Sequence, residues 1–166
     1  MHQPKNKYLI WSGIAAAAAA AAAGMLHVAA IFGGPTWYRM IGATKPIIEM
    51  VERGHSYPIL VVLVVATILF ACASYAFSGA GLMPRLPLLR TGLVVITTGL
   101  LIHGLAFLPA VVLWPKEMLI VYDGEGIDLP LIAINVLCLA AGIGYALGTR
   151  AVWQQLSLRQ PRLKSV

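Results

Sequence analysis

Two imidazoles and one amide lie inside long apolar runs of this sequence: His27, His103 and Asn135. An imidazole so placed can act as a base, ligate a metal or haem iron, or hold the polar end of an amphiphile. An amide offers only hydrogen bonds. Shortly after His27, in "MLHVAAIFGGPTWYRMIGA" (Met25 to Ala43), a Gly-Gly-Pro break precedes Trp37, Tyr38 and Arg39. Ligand pockets are mostly apolar with a few convergent polar groups, and His27, Trp37, Tyr38, Arg39, His103 and Asn135 make such a set. Arg39 would pair with an anionic headgroup, which its planar fork of donors suits.

The other constellations carry less chemistry. A haem needs two axial ligands facing one iron, and His27 and His103 differ in depth by roughly 7 Å on the helical rise. Glu52 and His55 form an ExxH step, but di-iron bundles draw further carboxylates from other helices, and the apolar runs here contain none. Glu49, Glu52 and His55 are weak candidates for a single divalent ion, against the plainer reading of a solvated face. "DGEGID" (Asp123 to Asp128) lacks the ligand spacing of a calcium loop. "GIGYALG" lacks the third glycine and preceding strand of a nucleotide loop, and reads as a packing surface. Cys72 and Cys138 stand apart from any metal or redox spacing and read as small buried thiols. No Ser/His/Asp or Cys/His grouping emerges, so no catalytic residue is assigned and the cofactor is unknown.

The elements that must position these residues are apolar helices. With 60% hydrophobic and only 11% charged residues among 166, the chain departs from soluble composition. Four runs reach the roughly 20 residues that cross a bilayer: about 8–32, 58–80, 91–113 and 129–148. The first is longer than the apolar region of a signal peptide, which favours a retained helix. Basic residues gather in cytoplasmic loops. Lys5, Lys7, Arg85, Arg90, Arg150, Arg159, Arg162 and Lys164, eight of the twelve, fall on one side with no acid among them. Glu49, Glu52, Glu117, Asp123, Glu125 and Asp128 all fall on the other. Both termini are therefore expected in the cytoplasm. Trp11 and Trp153 mark the inner boundary and Trp37 and Trp114 the outer one. The formal charge of +6 is read as topology, with no nucleic-acid partner.

Counted from the outer boundary at about 1.5 Å per residue, His27 lies roughly 8 Å deep, Asn135 roughly 9 Å and His103 roughly 15 Å. Polar groups at such depth normally face the bundle interior or a wet cavity. Above them, Thr44 can cap a short helix with Ile47, Ile48 and Val51 on one face and Glu49, Glu52 and Arg53 on the other, stopped by Gly54. It is expected to lie on the outer surface as an amphipathic lid. The alanine run 15–23 and the Gly144/Gly148 step supply close-packing surfaces, placing the first span centrally, while the branched second span suits lipid. Pro109 is expected to kink the third span and open the outer half.

The expected fold is therefore an all-α membrane protein, 1–166 as a single domain: an antiparallel four-transmembrane-helix bundle with a short amphipathic helix in the first external loop. The expected function is binding of an apolar or amphiphilic small molecule, of lipid or quinone type, in an outward-facing pocket of a cell inner-membrane protein. Besides membrane lipid and that small molecule, a membrane protein partner or a homo-oligomer is an expected partner. Two alternatives stand: a non-catalytic accessory or assembly subunit of a larger membrane complex, and a histidine-based haem or metal redox protein.

Overall fold

A computed structural model describes residues 7–121 and 129–158 of the chain. The helices are α1 (Lys7–Met40), α2 (Lys45–Glu52), α3 (Tyr57–Ala80), α4 (Leu89–Leu113), α5 (Pro115–Val121) and α6 (Leu129–Leu158), with no strand among the described residues. Tyr8–Met40, Tyr57–Ala80, Leu89–Phe107 and Ile132–Trp153 are long and apolar enough to cross a membrane. Asp123 to Asp128, the amino-terminal Lys5 and the carboxy-terminal Arg159, Arg162 and Lys164 lie outside the described residues.

Small residues decide which helices touch. α1 packs against α3 and α6, and α4 packs mainly against α6. Along the α1–α6 seam a methyl added at Gly148 would lie 2.8 Å from the Gly13 Cα, and one at Gly144 would lie 2.8 Å from the Ala16 Cβ. Along α4–α6, a methyl on Gly104 would meet Leu139 at 2.8 Å and one on Gly142 would meet Leu101 at 3.0 Å. In both seams positions that ascend along one helix meet positions that descend along α6. Dispersion between closely approaching backbones is the main attraction available to helices in an apolar solvent, so these contacts are where the fold is held.

One core lies at the start of α1: Ala16, Ala17, Ala76, Leu89, Leu93, Tyr145 and Val152 are buried together. At this end the α3–α4 connection is tied down by Ser78, whose hydroxyl donates to the Pro84 carbonyl at 2.9 Å and accepts from the Leu86 N–H at 3.0 Å. The Arg90 guanidinium lies 4.1 Å from the centre of the Trp153 ring, joining the start of α4 to the end of α6. α3 turns Ala66, Ala73 and Ala76 inward and leaves Leu60, Leu63, Val64 and Ile68 exposed, in keeping with a lipid-facing second span.

Three stretches of helix extend beyond the expected runs, the first being α6, which continues past 148 to Leu158. α1 is two helices joined across a kink: the first ends at the Gly-Gly-Pro break, close to the expected Phe32, and the second runs on to Met40. Gly34 has φ 69° and ψ −163°, and Pro35 restarts the helix. α4 runs helically through Pro109 to the expected end at Leu113. After Trp114 the chain resumes as α5, which lies against α4 and α2; Pro115 opens it, a first-turn position where proline's missing N–H costs nothing.

Candidate functional site

The Gly-Gly-Pro sequence builds the α2 end of the molecule in three steps. Gly34 takes a backbone conformation essentially closed to residues with a Cβ. Pro35 supplies a fixed φ for the new first turn. Gly33 leaves room for the Trp37 indole, which would overlap a Cβ at that position. The redirected turn carries Tyr38 inward and Arg39 outward. It ends in a Schellman motif: the Ala43 N–H donates to the Tyr38 carbonyl and the Gly42 N–H to the Arg39 carbonyl, each at 3.0 Å. We expect Gly34→Ala to lower stability by about 1–3 kcal/mol through backbone strain alone, since the space around an added methyl is open. Chemical unfolding of the full chain in mixed micelles measures it, and an unchanged midpoint would show that the bend does not need glycine.

α2 then folds over this turn. Ile47 and Ile48 donate their N–H groups to the Thr44 carbonyl, although the Thr44 side chain makes no cap hydrogen bond. The cap expected from its hydroxyl is thus supplied by backbone. Ile48 is buried with Ala30, Tyr38 and Val62, and Ile47 and Val51 pack against them. The apolar face of α2 rests on protein. On the other face Arg39 donates to Glu52 at 3.1 Å and Arg53 lies 3.5 Å from Glu49.

The expected ligand set is divided by this arrangement. Tyr38, 2% exposed, is the core of the α2 cover and fills the space beneath it. Trp37 is exposed and Arg39 half-exposed beside it. His27 is half-buried on α1 with Nδ1 2.8 Å from the Ala23 carbonyl oxygen. A carbonyl only accepts, so Nδ1 carries the proton and a neutral ring keeps Nε2 as an acceptor. The α1–α6 register, continued three turns along α1, brings His27 level with Asn135 to within about 3 Å; Asn135 is 7% exposed. His103 does not join them. Its side chain is exposed on α4, and by the α4–α6 register it lies level with Ala140, roughly 7 Å along α6 from Asn135. α1 and α4 are not neighbouring helices, and among the described residues nothing sets the two imidazoles face to face across one iron.

The weak metal candidates are likewise drawn apart. Glu49 and Glu52 lean to Arg53 and Arg39, while His55 lines an open depression with Met50 and Tyr57. Among the described residues no three His, Cys, Asp or Glu side chains cluster as metal ligands. Cys72 and Cys138 are free thiols, each half-buried.

A feature the sequence reading missed lies at the opposite end. A cavity of about 20 Å³ is lined by Gly13, Gly79, Leu93, Tyr145 and Thr149 among others. The Tyr145 and Thr149 hydroxyls are buried without a hydrogen-bond partner among the described residues. Its volume suits a single water. Spaced four apart on α6, the two hydroxyls share one face, a signal visible in the sequence only once that face is known to point inward. Comparison with protein-family models, curated proteins and solved structures finds no match for this chain.

Proposed function

We propose that this chain is a multi-pass inner-membrane protein, an antiparallel four-span bundle with cytoplasmic termini, that binds an amphiphilic molecule of lipid or quinone type at its α2 end without catalysing a reaction. The membrane setting rests on the four apolar helices and the orientation on the sorting of basic residues. The seams, which match ascending with descending positions, support the antiparallel order. The observation that carries the ligand reading is the level placement of half-buried His27 and buried Asn135 on adjoining helices, in an otherwise apolar half, with Trp37 and Arg39 exposed above.

In this reading His27 Nε2 accepts from the polar end of the ligand and Arg39 meets an anionic group at the surface. The Arg39–Glu52 pair does not prevent that. Its side chains are 47% and 49% exposed, and such pairs are worth at most about 1 kcal/mol, so a headgroup phosphate or carboxylate can displace Glu52. Tyr38 serves as the floor of the cover and makes no ligand contact.

Native mass spectrometry of the full chain released from nanodiscs tests the proposal. Wild type is expected to retain a defined lipid or quinone, and His27→Leu with Arg39→Ala is expected to lose it while staying folded. Equal retention by both proteins, or none by wild type, would sink the reading.

A further inference from the structure

His103 stands near the middle of α4, within a stretch apolar enough to span a membrane. Its side chain is exposed and makes no hydrogen bond or ion pair with the described residues. Around it the exposed surface consists of Val95, Thr98, Gly99, Ile102 and Ala106. In hydrocarbon a lone imidazole is costly, and polar groups at that depth are normally turned toward a partner. Gly99 sits one turn away, and a methyl added there would meet nothing within 4 Å. Its smallness therefore serves no packing against the described residues, whereas small residues between membrane helices let backbones approach closely.

We propose that this face of α4 binds the same face of a second copy of the chain, with His103 hydrogen-bonded to His103 across a two-fold axis. The choice of occupant follows from hydrogen-bond complementarity. A neutral imidazole carries one donor and one acceptor, so it is its own complement. A second copy inserted in the same orientation brings an identical ring to the same depth without any search for register. An isologous contact of this kind is closed and stops at two. Gly99, next to the axis, admits the partner backbone. The proposal rests on the membrane-spanning reading and is independent of the ligand at the α2 end.

The test uses the full chain, singly dye-labelled on its amino terminus, in phosphatidylcholine vesicles at low protein density. Flotation with the vesicles comes first, and failure to float would reject the membrane reading itself. Photobleaching steps are then counted. Wild type is expected to bleach in two steps, and His103→Leu to weaken association about tenfold, the scale of one or two interhelical hydrogen bonds. His103→Gln, which keeps a donor and an acceptor, is expected to retain pairs. Gly99→Leu is expected to give monomers with an unchanged unfolding midpoint. Vesicle-bound monomers in wild type, or pairs that survive both His103→Leu and Gly99→Leu, would overturn the proposal. A different membrane protein captured in place of the second copy would do so too, leaving the accessory-subunit reading intact.

Discussion

Tyr38→Ala is expected to lower stability by about 3 kcal/mol, near the lower end for truncating a large buried ring, and to release α2 from the rest of the molecule. Tyr38 is 2% exposed and is the largest side chain of a buried cluster with Ala30 before the bend, Ile48 on α2 and Val62 on α3, against which Ala43 packs after the turn. α2 has eight residues, too short to hold itself as a helix in water. Its order depends on what it packs against. The Arg39–Glu52 pair cannot take over, because an exposed ion pair contributes at most about 1 kcal/mol. Hydrogen exchange at the α2 amides should therefore rise sharply in Tyr38→Ala and hardly at all in Arg39→Ala. Tyr38→Phe, which keeps the ring, should stay close to wild type. If Arg39→Ala loosened α2 more than Tyr38→Ala, the cover would be held by charge, and the packing account would be wrong.

The parts of this architecture legible in the sequence are those with a local cause. Four apolar runs read directly as four helices of spanning length. The Ile47/Ile48/Val51 face and Gly54 specify α2 because a 3.6-residue period and a stop both act within one short segment, whereas the hydroxyl cap expected of Thr44 does not form. The small-residue steps at Gly144 and Gly148 announce a close seam, and the seam is there against Ser12, Gly13 and Ala16. What was not legible is the direction in which individual side chains point. The spans are apolar on every side, so periodicity says nothing about facing. Depth alone made His27, Asn135 and His103 look like one cluster, and only the helix rotations set His103 on the exterior. Tyr38 misled for a related reason. An aromatic residue beside Trp37 and Arg39 looks like part of an interfacial belt, and its burial comes from α2, a contact that no local pattern encodes. Ser78, next to Gly79 and Gly81 at the end of α3, carried a faint turn signal. Its partners Pro84 and Leu86 lie six and eight residues on.

The α1–α6 seam should be the least tolerant surface in the protein. At Gly144 an added Cβ would stand 2.8 Å from the Ala16 Cβ and 3.0 Å from the Ser12 carbonyl oxygen; at Gly148 it would stand 2.8 Å from the Gly13 Cα. Most of these neighbours are backbone atoms, which cannot swing aside as a side-chain tip can. Gly148→Val adds three carbons where even one does not fit, so the helices must separate along several turns. Overpacking costs about 1–3 kcal/mol where a core can adjust; here the loss of close approach removes the attraction itself, and about 3 kcal/mol or failure to fold is expected. Gly99→Ala supplies the control, since its methyl meets nothing within 4 Å and alanine is the better helix former. Unfolding midpoints of the two variants in mixed micelles should diverge, and a Gly148→Val protein as stable as Gly99→Ala would mean that these backbones do not touch. His27 lies three turns along α1 from the Ala16–Gly144 contact and level with Asn135 on α6, so widening the seam at Gly148 should also move the two proposed ligand contacts apart. A Gly148→Val variant that still folds is therefore expected to lose its amphiphile although no ligand-binding residue has been altered.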